Sequence, residues 1–164
     1  MGVFGLVPLT ALMCLAQQTT STKPAKQKVV FVCEHGSVRS VIAAAHFNRR
    51  AAERGLPYEA VARGVQPDEK IPAAVVDGLT ADGLSAGTSK PAAITPEGVR
   101  GAAQVVTFAC TLPDSARPSA NKLLQWDNPV PSITQGYEAA RKVIVDRVDA
   151  LIADLAAKSK AQEK

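Results

Sequence analysis

The tightest constraint on this chain is an alternation that begins at Lys28. Val29-Val30-Phe31-Val32 is a short, unbroken run of β-branched and aromatic residues, the signature of a parallel strand buried on both faces. Residues 40–54 follow: Ala-rich, free of Gly and Pro, with Arg49, Arg50 and Arg54 near the end and Gly55 as a stop, which reads as a helix. The same alternation recurs downstream. Glu59–Ala62 reads as a second strand, and Pro72–Asp82, closed by Gly83, as a second helix. Thr95-Pro96-Glu97 has the cap, N1 proline and first-turn acid of a helix start. Val105–Ala109 reads as a third strand and Leu123–Trp126 as a short fourth. Ala140, Ile144, Val148, Leu151 and Leu155 recur at helical spacing and predict a long amphipathic C-terminal helix. Strands alternating with helices imply a three-layer α/β fold, an open parallel sheet with helices on both faces.

Composition removes several other classes. The 164 residues suit one domain. Hydrophobic residues make up 46% and the net charge is only +4, unlike a natively disordered chain. That charge suits an acidic substrate without demanding nucleic acid, and 4% aromatic residues argue against a base-stacking single-strand binder. Three cysteines do not make a disulfide scaffold. Two histidines and scattered cysteines offer no metal-ligand spacing, no Gly-rich nucleotide fingerprint is present, and no cofactor is expected. No apolar run reaches the ~20 residues of a membrane span.

Residues 1–16 carry no charged side chain and precede a polar stretch, the pattern of a secretory signal, with Cys14 and Ala16 at positions −3 and −1 of a cut after Ala16. The departure is that no Lys or Arg precedes Lys23. The expected organisation is a signal at 1–16, a polar linker at 17–28, a domain at 29–158 and a polar tail at 159–164. The expected location is the periplasm or the extracellular space, or the cytoplasm if the leader is not a signal.

Ligands of open parallel sheets bind at the carboxyl ends of the strands. The loop leaving the first strand is Cys33-Glu34-His35-Gly36-Ser37-Val38-Arg39-Ser40. A loop wrapping into a helix N-terminus gathers backbone N–H groups around a tetrahedral oxyanion. The same field stabilises a thiolate at its centre, and a thiolate can attack phosphorus. Arg39 can grip two oxygens through its planar fork, and the Ser40 hydroxyl can donate to the thiolate. Glu34, His35, Gly36, Ser37, Val38 and Ser40 are therefore candidate oxyanion-binding residues. His46, inside an Ala-rich helix, is read as structural.

Cys-x5-Arg-Ser directly after a first strand resembles the low-molecular-weight protein tyrosine phosphatase family, which includes the thioredoxin-coupled arsenate reductases. The resemblance runs from residue 29 to about 157. It implies a strand order 2-1-3-4 and a metal-independent phosphatase in which Cys33 attacks, Arg39 stabilises the transition state and an acid after the last strand protonates the leaving group. Trp126-Asp127-Asn128-Pro129 lies in the matching place, making Asp127 the candidate acid. Three departures stand out. His35-Gly36 replaces the family's Gly-Asn; Asn128 stands where the family's acid directly precedes proline; and Val130-Pro131 replaces the paired tyrosines that stack on a phosphotyrosine ring. Trp126 is read as core. The resemblance also implies an alternative, arsenate reduction with Cys110 as the resolving thiol and a thioredoxin-like reductant. Against it, no cysteine follows Cys110, and one extra residue before Cys110 would turn its side chain to the other face of a strand. A third reading is a non-catalytic oxyanion-binding module.

Overall fold

The computed structural model describes residues 1–2 and 25–162. Residues 3–16 of the leader, Cys14 among them, and residues 17–24 of the proposed linker lie outside the described residues. The elements are β1 (Gln27–Cys33), α1 (Arg39–Glu53), β2 (Tyr58–Gly64), α2 (Ala73–Ala81), α3 (Pro96–Arg100), β3 (Ala102–Thr107), β4 (Leu123–Gln125) and α4 (Tyr137–Gln162). The four strands form one all-parallel sheet in the order β2-β1-β3-β4, as the resemblance implied.

β1 shows why its sequence reads as continuous apolar residues. Val29, Phe31 and Cys33 face one layer, with Val41, Ile42 and Phe47 of α1, Val75 and Leu79 of α2, and Ile144, Val148 and Ile152 of α4. Val30 and Val32 face the other, with Val99, Val105 and Leu112. The second layer is thin, because its helix α3 has only five residues. All five residues of the expected C-terminal stripe are buried.

Several boundaries differ from expectation. β1 begins at Gln27, so the last two linker residues belong to the sheet. α4 continues to Gln162, so most of the expected polar tail is helical. β3 spans 102–107 rather than 105–109. It ends because Ala109 takes a left-handed φ of 45° and turns the chain out of the sheet. Cys110 therefore lies in a loop, and strand alternation does not set its direction.

On the α1 layer a buried polar cluster joins three helices. Asp82, just past α2, accepts hydrogen bonds from Tyr137 Oη and Arg141 Nε of α4, both at 2.7 Å. His46 of α1 is 1% exposed, with Nε2 3.2 Å from Asp82 Oδ2, yet neither ring nitrogen has a hydrogen-bond partner. Burial lowers its pKa from 6.5 to about 4, outweighing the nearby Asp82 charge. Burial also pushes the Asp82 carboxyl up, but the Tyr137 and Arg141 donors outweigh it and hold the acid below its usual range. His46 thus packs as a neutral core residue, as the sequence reading held.

A depressed histidine pKa makes the unfolded chain bind more protons between the two values, so stability rises with pH there. The contribution is complete above pH 6.5 and is lost as pH falls toward about 4. The expected loss is about 1–3 kcal/mol. Urea midpoints at pH 7 and pH 4.5 check it: His46→Gln should flatten the slope over that window.

Candidate active site

The site forms where β1 meets α1. Cys33, the last residue of β1, is buried, with Sγ 3.2 Å from Ser40 Oγ. Ser40 is itself fully buried in the first turn of α1, so its hydroxyl is fixed where it can donate to a thiolate. α1 opens at Val38 without a side-chain cap, which leaves first-turn N–H groups for an anion. Arg39 is the first residue of that helix and lines the same cavity as Cys33, with a volume of about 320 Å³.

Backbone hydrogen bonds hold the loop in place. The segment leaving β2 runs alongside it: Val65 N donates to Cys33 O at 3.2 Å, Gln66 N to Glu34 O at 2.8 Å and Asp68 N to His35 O at 3.0 Å. Gly36 adopts φ +64°, which glycine reaches without penalty. A Cβ on Gly36 would lie 2.7 Å from Gly64 N, and a Cβ on Gly64 would lie 2.8 Å from Gly36 N. The two glycines permit one close backbone approach from both sides.

The cavity wall comes from three places. Glu34, His35, Ser37 and Val38 belong to the loop; Asp68 and Pro72 follow β2; Pro131, Ser132 and Ile133 follow β4. Gly36 and Ser40 support the loop from behind. Asp127 is not brought there. It is exposed and does not line the cavity, which the chain reaches only from Pro131 onward. The cause is anchoring. Trp126 N donates to Thr107 O at 2.8 Å, and its ring packs edge-on to Phe108 at 5.0 Å and beside Phe31 at 5.7 Å. Arg147 of α4 lies over that ring and donates to Asn128 O at 3.0 Å. Trp126 packs against the core, as expected, and Asp127 beside it is exposed.

Asp68 was not singled out by the sequence reading. Ser37, almost fully buried, donates to Asp68 Oδ2 at 2.5 Å, and His35 Nδ1 lies 3.5 Å from Asp68 Oδ1. The signal that points to it is topological: β2 neighbours β1, so the loop after β2 opens on the same edge of the sheet.

Cys110 is half-buried, with Sγ 3.5 Å from Val32 O, the carbonyl just before Cys33. Burial, with the negative charge of Cys33 second, pushes its thiol pKa up to about 11. Among the described residues no group of three or more His, Cys, Asp or Glu side chains could hold a metal ion, and no helix is long and apolar enough to cross a membrane.

The family model for low molecular weight phosphotyrosine protein phosphatases matches residues 28–161, covering every element and the whole loop. The chain belongs to this family. Solved structures similar to this phosphatase-family chain include a thioredoxin-dependent arsenate reductase from Corynebacterium glutamicum. It is 23% identical, with a TM-score of 0.67, over 81% of this chain and 63% of that one; this chain therefore spans under two thirds of that relative. An arsenate reductase from Archaeoglobus fulgidus is 26% identical, with a TM-score of 0.64, over 76% of this chain and 98% of that one. A low molecular weight protein tyrosine phosphatase from T. tengcongensis is 21% identical, with a TM-score of 0.63, over 81% of this chain and 99% of that one. No curated protein sequence matches the chain. The neighbours of this family member thus include both phosphatases and arsenate reductases, and all share its fold.

Proposed function

We propose that the chain hydrolyses phosphomonoesters through a phosphorylated Cys33. The observation that carries this reading is the arrangement of Cys33, Ser40 and Arg39 around one open cavity: a buried thiol 3.2 Å from a fixed hydroxyl, beside an uncapped helix N-terminus whose first residue is an arginine. The loop N–H groups and the Arg39 fork bind the phosphoryl oxygens as charge spreads over them in the transition state. The thiolate takes the phosphoryl group, the ester oxygen leaves, and water then releases phosphate from sulfur. The apolar wall of Pro72, Pro131 and Ile133 offers van der Waals contact without an aromatic face, so the anion rather than a stacked ring supplies recognition. Steady-state turnover of para-nitrophenyl phosphate in the absence of added metal tests this. No turnover would overturn it.

A second reading, arsenate reduction, is favoured by the position of Cys110 against the carbonyl of Val32 and by the 26% identity to the Archaeoglobus fulgidus arsenate reductase. In that reaction Cys33 and Cys110 would each give one electron to arsenic and join as a disulfide, which a thioredoxin-like dithiol must then reduce. A thiol with a pKa near 11 is only about one part in 10⁴ thiolate at pH 7, so Cys110 is poorly prepared to attack. Cys110→Ala is expected to leave para-nitrophenyl phosphate turnover within about twofold of the unmodified protein. Measuring arsenite release with thioredoxin alongside it separates the readings: loss of arsenite release in Cys110→Ala alone would favour the reductase.

A further inference from the structure

We infer that Asp68, and not Asp127, is the carboxyl group that protonates the leaving oxygen and then activates the hydrolytic water. This inference rests on the phosphatase reading. Among the described residues two carboxylates line the Cys33 cavity, Glu34 and Asp68. Glu34 is the residue beside the nucleophile, in the loop whose backbone faces the anion. Asp68 comes from a different element and stands at the cavity wall, 44% exposed, where a leaving group would depart toward solvent.

Its placement is fixed from three directions. Its own backbone N–H donates to His35 O at 3.0 Å, Ser37 Oγ donates to Oδ2 at 2.5 Å, and the His35 ring lies 3.5 Å from Oδ1. The two carboxyl oxygens therefore have different surroundings. Oδ2 is tied to a buried hydroxyl, while Oδ1 lies 3.5 Å from the exposed imidazole of His35 on the solvent side of the cavity. A general acid needs such a held carboxyl with one open oxygen within reach of the reacting centre.

The steps balance. Cys33 thiolate forms the S–P bond as the P–O bond to the leaving group breaks, and the Asp68 proton passes to that oxygen. Asp68, now a carboxylate, takes a proton from water. The water oxygen bonds to phosphorus, the S–P bond breaks, and thiolate, inorganic phosphate and protonated Asp68 result. Ser37 and His35 act here as positioning residues.

The test compares Asp68→Asn and Asp127→Asn on a series of aryl phosphates from phenyl phosphate to para-nitrophenyl phosphate. Asparagine keeps an acceptor for Ser37, so the loop retains its shape. Competitive inhibition by inorganic phosphate and the Tm check that it does. The expected result is a loss of about 100-fold in kcat/KM on phenyl phosphate for Asp68→Asn. The loss should be distinctly smaller on para-nitrophenyl phosphate, whose phenolate leaves without a proton, with phosphate inhibition unchanged. Asp127→Asn should stay within about twofold throughout. A merely structural role would lower all substrates equally. Equal losses across the series, or a large leaving-group-dependent loss in Asp127→Asn instead, would overturn the assignment while leaving the phosphatase reading intact. Absence of turnover by the unmodified protein would overturn both.

Discussion

Replacing Cys33 by serine is expected to lower para-nitrophenyl phosphate turnover by at least about 10⁴-fold while phosphate still binds. The two effects separate because the site divides its work. Binding rests on loop N–H groups and Arg39 at the opening of α1, none of which the substitution touches. Attack rests on sulfur. A serine hydroxyl would need a base to become a nucleophile, and the group next to this position is another hydroxyl, Ser40, 3.2 Å away. Rapid-quench trapping provides a direct readout: the unmodified protein, quenched into denaturant at alkaline pH, should give a phosphorylated intermediate that is absent from the variant. Turnover within tenfold of the unmodified protein would mean that hydrolysis proceeds without a covalent step.

The second large effect concerns two residues with no side chain. Gly36→Ala and Gly64→Ala should each cost about 3 kcal/mol or more of stability, by the usual scale of backbone strain and overpacking, with activity falling further than stability. Each added Cβ would meet backbone atoms of the other segment at 2.7–2.8 Å, and backbone cannot rotate away as a side-chain tip can. Gly36 also sits at φ +64°, so its variant carries strain as well as overlap. Gly55→Ala is the control. Its φ is +62°, but nothing lies within 4 Å of the added Cβ, so it isolates the strain alone, about 1–2 kcal/mol. Chemical unfolding of the three variants distinguishes the contributions. Equal losses in all three would mean that the Gly36–Gly64 approach contributes nothing.

Much of this was legible in the sequence, and the reason is local. A strand buried on both faces has to be apolar throughout, which is why Val29–Val32 stood out. The long helix α4 must bury one stripe, which is why Ile144, Val148 and Leu155 recurred at its spacing. The loop from Cys33 to Ser40 was legible because its residues are consecutive, and it lies between β1 and α1 as read. Asp68 was not legible for the opposite reason. It reaches the site only through the pairing of the β2 exit with the loop, and nothing in Gln66-Pro67-Asp68-Glu69 separates its acid from the neighbouring one. Asp127 was placed by its position along the chain; in the fold its neighbours Trp126 and Asn128 are held by the core and by Arg147, and Asp127 itself does not line the cavity. The end of β3 was misplaced because Ala109, an ordinary strand-compatible residue, adopts a left-handed turn that no local signal marks.

The pairing of the β2 exit with the nucleophile loop also sets an order of assembly. The Ser37–Asp68 contact spans 31 residues, and everything that shapes the floor of the cavity lies between Gln27 and Pro72. The far wall, Pro131 to Ile133, is brought in from the other end of the chain, just after Asn128, whose carbonyl accepts a hydrogen bond from Arg147 of the last helix. Short loops close at lower entropic cost than long ones. The floor therefore has the cheaper route to order, and closure of the wall waits on the docking of α4. On the proposed reading, affinity for the anion would rest on the first third of the domain, whereas the group that carries the anion would meet the last third, so variants in the two regions should change phosphate inhibition and substrate preference separately.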